Sequence, residues 1–230
     1  MIGNCRINPS LMCMDFLKIR EQLAFFEDKA DYLHVDIMDG HFVPNLALSP
    51  DFCGRIAKLT KLPLDCHLMV TDPGLYLPML IKAGAGFFVP HAETLSGQAF
   101  NLFRQAAAAG MKLGVAVNPE TPIDVIAPYA DLLDKVTVMT VDPGFAGQPF
   151  VPQMLKKIME AVSLREACGA HYEIEVDGAC NKANYKAMYA SGARVFVMGS
   201  SGLFGLDEDL AKAWARMERE LLSETEGEAR

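Results

Sequence analysis

Apolar residues gather in eight short runs down the chain: 7–12 (INPSLM), 32–38 (YLHVDIM), 63–70 (PLDCHLMV), 86–91 (GFFVPH), 112–118 (KLGVAVN), 135–141 (KVTVMTV), 172–178 (YEIEVDG) and 194–200 (RVFVMGS). Their length and their Val, Ile and Phe content predict strands. They lack the regular polar alternation of a sheet with one wet face, so both faces are expected to be covered. Helix-like stretches lie between them, at 15–30, 72–84, 97–110, 150–168 and 180–192 among others, and several end in Gly just before the next strand. Strand followed by helix, eight times over, predicts an α/β fold of one domain, a (β/α)8 TIM barrel spanning 1–230. The acidic end from about 218 (MERELLSETEGEAR begins at Met217) is expected to be a solvated helix end that frays.

Composition narrows the partners. With 21 Lys and Arg against 29 Asp and Glu, the net charge is -8, which disfavours nucleic acid and anionic membranes. No run reaches the ~18 apolar residues of a membrane span, and the N-terminus has no signal-peptide pattern, so a cytoplasmic protein is expected. Six cysteines without a C-x-x-C pair are expected to be reduced, mostly packing thiols.

In a TIM barrel the chemistry sits at the C-terminal ends of the strands, and side chains alternate between barrel and helices. If His34 points inward, so do Asp36 and Met38. In the third strand His67 and Met69 share a face, and Cys66 points outward. In the seventh, Asp177 and Glu175 share one. His34, Asp36, His67 and Asp177 thus converge, and two imidazoles with two carboxylates suit one divalent ion. Zn²⁺ fits best, and Mn²⁺, Fe²⁺, Co²⁺ or Mg²⁺ are admissible. The competing reading is that each merely caps a strand end. Glu175 is expected to hydrogen-bond a metal ligand from one layer below. His41 reads as a solvated loop residue.

Three Gly-rich loops follow strands six, seven and eight: DPGFAGQPF (142–150), DGAC (177–180) and GSSG (199–202). Neighbouring loops of this kind expose backbone N–H groups that can cradle a phosphate without Arg or Lys. Met38, Met69 and Met139 fall near strand ends, where they can form an apolar wall over a reacting carbon or simply pack. A Schiff-base mechanism is excluded, because Lys112 and Lys135 fall at strand starts, on the opposite rim. A cation, a phosphate cradle and two carboxylates suggest proton transfer next to the ketone of a sugar phosphate, Asp36 and Asp177 serving opposite faces of one carbon.

HVDIMDGHFVPN (34–45), LDCHLM, VDPGFAGQPF and EVDG resemble the signature motifs of the ribulose-phosphate 3-epimerase family, from about Asn8 to Phe204. The resemblance implies His34, Asp36, His67 and Asp177 as metal ligands, with Asp36 and Asp177 also the catalytic acid and base. It further implies Ser10 in contact with substrate, and Gly144, Ala146, Gly147, Gly178, Gly199 and Ser200 on phosphate. SLMCMD, MTVDPGFAGQPF and GSSGLF are more similar to the branch acting on D-allulose 6-phosphate, forming D-fructose 6-phosphate, than to the branch acting on ribulose 5-phosphate. The expected substrate is therefore a phosphorylated ketose, the hexose first and the pentose as alternative. A sugar-phosphate sensor is the rival outside the enzymes, and the paired carboxylates speak against it. A homo-oligomer is expected, of an order the sequence does not define. Pro90 departs from the family pattern. It removes a ladder donor and is expected to bend the end of strand four, which leaves His91 outside the site.

Overall fold

In the computed structural model, which describes residues 1–225, every apolar run becomes a strand. The strands are β1 (Arg6–Pro9), β2 (Leu33–Met38), β3 (Leu64–Met69), β4 (Phe87–Pro90), β5 (Lys112–Val117), β6 (Lys135–Met139), β7 (Glu173–Asp177) and β8 (Val195–Met198). All are parallel, in the order β1-β8-β7-β6-β5-β4-β3-β2. A bridge between Ser10 and His34 joins β1 to β2 and brings the sheet to near closure as a barrel. Several strands stop before their apolar runs do. Residues 11–12, 140–141 and 199–200 leave the ladder and form the loops at the barrel mouth.

The helices are α1 (Ile19–Phe26), α2 (Pro50–Ile56), α3 (Pro73–Ala83), α4 (Ala99–Ala108), α5 (Met154–Ala167), α6 (Tyr185–Ser191) and α7 (Leu210–Thr225), with a 3-10 stretch, Ile123–Leu132, between β5 and β6. Local chemistry sets their ends. Asp72 caps α3 by accepting from the Gly74 N–H at 3.0 Å, Pro73 opens it, and Gly84 closes it at φ 75°. Outward strand residues such as Val35, Ile37, Cys66 and Phe88 pack with the helices into the main core. Cys66 Sγ lies 3.9 Å from Cys53 Sγ of α2, both thiols free. At the barrel floor, Tyr32, Phe87, Val89, Ala116 and Val195 form a separate interior cluster.

Two expectations change. The acidic end does not fray from 218, because α7 runs to Thr225 with Trp214, Met217 and Leu221 buried at helical spacing. The rest of that segment, 226–230, lies outside the described residues. Pro90 does not bend β4 away. It pairs in register with Leu68, and its missing N–H shows instead as a break in pairing with β5. That ladder holds at Phe87 and Phe88 and resumes as a bridge between His91 and Ala116. Among the described residues no helix is long and apolar enough to cross a membrane.

Candidate active site

Register places the central residues. Asp36 pairs with His67, and Met38 with Met69, across β2 and β3, while Asp177 pairs with Met139 across β6 and β7. Around the ring β7 lies three strands from β2 (β2, β1, β8, β7) and four from β3. The groups therefore meet near the barrel axis. His34 Nε2 is 3.2 Å from Asp36 Oδ1 and 3.5 Å from Asp177 Oδ2. His67 Nδ1 is 3.3 Å from Asp36 Oδ1, 3.4 Å from Asp177 Oδ2 and 3.3 Å from His34 Nε2.

These spacings test the cation. Bonds of ~2.0–2.1 Å to N and O place neighbouring ligands of a tetrahedral ion roughly 3.3–3.4 Å apart. An octahedral Mg²⁺ at about 2.1 Å would bring adjacent ligands to roughly 3.0 Å. The observed 3.2 to 3.5 Å fits one tetrahedrally held divalent ion. Charge agrees with this. Burial opposes ionisation of all four groups, yet Asp36 and its carboxylate neighbours raise His34 well above, and His67 above, the usual imidazole range. The imidazoles in turn hold Asp36 and Asp177 below the usual carboxylate range. Two imidazoles facing two carboxylates form a donor set whose charge one divalent ion would balance.

Beneath this cluster lies a buried polar layer. Asp65 Oδ2 is 3.0 Å from His34 Nδ1, 2.5 Å from Lys135 Nζ and 2.6 Å from Asn8 Nδ2. Glu175 takes Lys135 Nζ at 2.9 Å, the Thr137 hydroxyl at 2.8 Å and Asn8 Nδ2 at 2.8 Å. Two corrections follow. The carboxylate that holds a histidine of the cluster is Asp65, which shares a face with His67, while Glu175 reaches the cluster only through Asn8 and Lys135. Lys135 is not on a rim but inside the barrel, 1% exposed, because the tilt of barrel strands carries a strand's first residue into the interior. It is still no Schiff-base nucleophile. Burial opposes its charge, but Asp65 and Glu175 outweigh that and hold the ammonium protonated.

Above the cluster opens a cleft. Asp36 and Asp177 reach it, as do Ser10, Met38, Met69, Met139, Gly144, Ala146, Gly147, Gly178, Gly199 and Ser200. His34 and His67 sit fully buried below. The Ser10 hydroxyl donates to Asp36 Oδ2 at 2.9 Å, the oxygen turned away from the imidazoles. Met38 and Met69 pack with Val43 in a small cluster over the site, with Met12 and Phe42 against it. Met12, Cys13, Phe145 and Gln148 also line the cleft and were not singled out in the sequence. Their loops carry no strand period that would show which way they face.

The Gly-rich loops form one wall. Gly178 has φ 112°, and a Cβ there would come within 2.5 Å of Val141, so packing alone requires glycine. Gly147 has φ 80° and open space where a Cβ would stand. Among the described residues, the N–H groups of Gly147, Gly178 and Ala179 donate to no backbone acceptor. The loop after β2 closes over this wall, Asn45 Nδ2 donating to Gly144 O at 2.7 Å. Asp39 anchors that loop by accepting from the N–H groups of His41 (2.8 Å), Phe42 (2.9 Å) and Thr71 (2.7 Å). His41 is exposed, as expected.

His91, set aside in the sequence, points into the barrel and is fully buried. Its Nε2 lies 2.8 Å from His67 Nε2. Burial pulls its imidazole down to about 4, and Glu93 beside it, lowered against its own burial by His91, lies at about 2.

Carboxylates from two sides of a barrel, a pair of buried imidazoles and a wall of free N–H groups define a TIM-barrel enzyme site built for a small anionic substrate. The comparisons agree with that class. The chain matches the ribulose-phosphate 3 epimerase family over residues 6–204. It is 38% identical over 198 residues to the ribulose-phosphate 3-epimerase of Bacillus subtilis (strain 168), covering 85% of this chain and 91% of that one. It is 39% identical over 214 residues to the chloroplastic ribulose-5-phosphate-3-epimerase of Arabidopsis thaliana, covering 90% and 74%. The tryptophan synthase A-subunit of Pyrococcus furiosus, 12% identical, superimposes with a TM-score of 0.66 over 97% of this chain and 98% of that one, which establishes the barrel fold. The chain belongs to the ribulose-phosphate 3-epimerase family and is an isomerase, a carbohydrate-phosphate 3-epimerase.

Proposed function

We propose that the protein inverts carbon 3 of ribulose 5-phosphate, interconverting it with xylulose 5-phosphate, with one divalent ion, Zn²⁺ by the donor set, held by His34, Asp36, His67 and Asp177. The observation that carries this reading is the arrangement of the two carboxylates. Asp36 and Asp177 come from different sides of the ring, share one pair of imidazoles and both open onto the cleft. Such an ion supplies Lewis-acid stabilisation beside a carbon that is losing its proton. Asp36, positioned by the Ser10 hydroxyl, takes the proton on one face, and Asp177 returns one on the other. In the reverse direction the roles exchange. Met38, Met69 and Met139 keep water from the reacting carbon. The phosphate lies against Gly144, Ala146, Gly147, Gly178, Gly199 and Ser200, where free N–H groups supply charge-assisted hydrogen bonds.

The relatives bear names of pentose-phosphate enzymes, so the pentose now leads, and nothing in them supports the hexose put first from sequence detail. The second reading, allulose 6-phosphate, rests on Ala146 and Ser201 in the phosphate loops and on Met12 and Cys13 after β1. Turnover of both sugars by metal-reconstituted protein decides between them. A kcat/KM at least tenfold higher for ribulose 5-phosphate supports the proposal, and the opposite ratio transfers it to the hexose. Turnover of neither would refute the epimerase mechanism. A cytoplasmic location and a homo-oligomeric assembly belong to the same proposal, tested by cell fractionation and light scattering.

A further inference from the structure

The outer nitrogen of His67 leads away from the cleft into a buried line of groups that the mechanism above leaves unused. His67 Nε2 faces His91 Nε2 at 2.8 Å, the two rings edge to edge with centroids 4.9 Å apart and planes 23° from parallel. Phe42 packs against His91 at 4.6 Å. Beyond it, His91 Nδ1 lies 3.3 Å from Glu93 Oε2. That contact lacks hydrogen-bond alignment, and this buried nitrogen has no hydrogen-bond partner among the described residues. The other Glu93 oxygen is fixed by the Asn118 N–H at 3.0 Å.

Hydrogen bookkeeping gives this line one direction. A neutral imidazole carries one N–H and one lone pair, and only the lone pair can bind a cation. His67 turns Nδ1 toward Asp36 and Asp177, so its hydrogen must sit on Nε2 and be donated to His91 Nε2. His91 can accept there only if its own hydrogen is on Nδ1, the nitrogen that lies 3.3 Å from the Glu93 carboxylate. Reversing either ring would bring two lone pairs, or two hydrogens, face to face at 2.8 Å.

We propose that Glu93 and His91 are positioning residues for the cation site, a carboxylate–imidazole relay that holds the hydrogen of His67 on Nε2 and so presents Nδ1 to the ion. The inference rests on the cation assignment made above. It gives His67 the kind of outer partner that Asp65 gives His34.

Two measurements test it. In the zinc-loaded protein labelled with ¹⁵N-histidine, NMR should show His67 protonated on Nε2 and His91 on Nδ1. The opposite tautomer of either ring overturns the relay without any variant. In a chelator competition, Glu93→Gln should weaken zinc binding by about 10- to 100-fold, and Glu93→Asp should recover part of the loss. A Glu93→Gln protein whose melting temperature falls while zinc affinity stays within twofold of the original marks a merely structural residue and overturns the proposal. If the unaltered protein binds no zinc, the cation assignment fails and the relay with it. Normal binding that is indifferent to Glu93 removes the relay alone.

Discussion

Asp65 sits where stability and cation binding meet, and replacing it separates the two. Its Oδ2 lies 2.5 Å from Lys135 Nζ and 3.0 Å from His34 Nδ1. Asp65→Asn keeps the shape and removes the charge. Breaking a buried ion pair from one side costs about 3–5 kcal/mol. Glu175 stays 2.9 Å from the ammonium, so the loss falls at the lower end, about 3 kcal/mol. For a chain of this size that lowers Tm by roughly 6–12 °C. An Asn oxygen still accepts the His34 N–H, though without charge, so zinc affinity should fall about tenfold, the small end of the usual range for such partners. Glu175→Gln is the contrast. Glu175 touches Lys135, Thr137 and Asn8 but no ligand of the cluster. Burial and the Asp65 charge push its carboxyl upward, which makes it the weaker partner of Lys135. Its variant should lose less Tm and keep its zinc affinity. Calorimetry and chelator competition on both variants decide the matter. If both weaken zinc alike, or Asp65→Asn leaves affinity untouched, the assignment of Asp65 to His34 is wrong.

Gly147→Val places a Cβ where no protein atom lies within 4 Å, so beyond ~1–2 kcal/mol of left-handed strain its expected effect is to obstruct the ligand. KM for the phosphorylated ketose should rise at least tenfold while the weak turnover of the unphosphorylated sugar holds, and equal loss on both would indicate misfolding instead. Turnover in D₂O should place deuterium at carbon 3 of the product while substrate recovered early carries little. Early label in recovered substrate equal to that in product would point to one base serving both faces. Burial resists ionisation of Asp39, yet the N–H groups of Thr71, Phe42 and His41 bring it from 3.8 to about 2. A depressed folded value contributes stability that is present above the unfolded value and lost as pH falls through the folded one. The Tm gap between the unaltered protein and Asp39→Asn should therefore narrow between about pH 4 and 2, and a gap independent of pH there would show that the carboxylate does not anchor the loop.

The metal-type cluster was legible because a strand's period of two is exact enough to carry side-chain direction. His34 and Asp36 share a face by parity, and register then sets Asp36 opposite His67. The same parity was available for Asp65 with His67, for Lys135 with Thr137 and Met139, and for Val89 with His91. What parity lacks is the level along the barrel axis, which depends on strand stagger, a property of the closed ring and not of any one strand. Lys135 was thus placed on a rim when it fills the interior. His91 was lost to a different error, the assumption that a missing N–H bends a strand. Pro90 shows that a strand already paired on one side with Leu68 absorbs the loss as a gap in the ladder on the other. The end of α7 was misread by composition, since its charges mask an apolar stripe at Met217 and Leu221.

The substrate's length is illegible for a further reason. The loop residues at the mouth, Met12, Cys13, Phe145 and Gln148, follow no period, and their positions are set by closure between loops, as where Asn45 holds Gly144. The chemistry of inversion is written in strands, whose geometry a sequence transmits. The choice between a five- and a six-carbon chain is written in loops, whose geometry only the assembled barrel defines. Substitution therefore tests the relay and the carboxylates, and turnover decides the sugar.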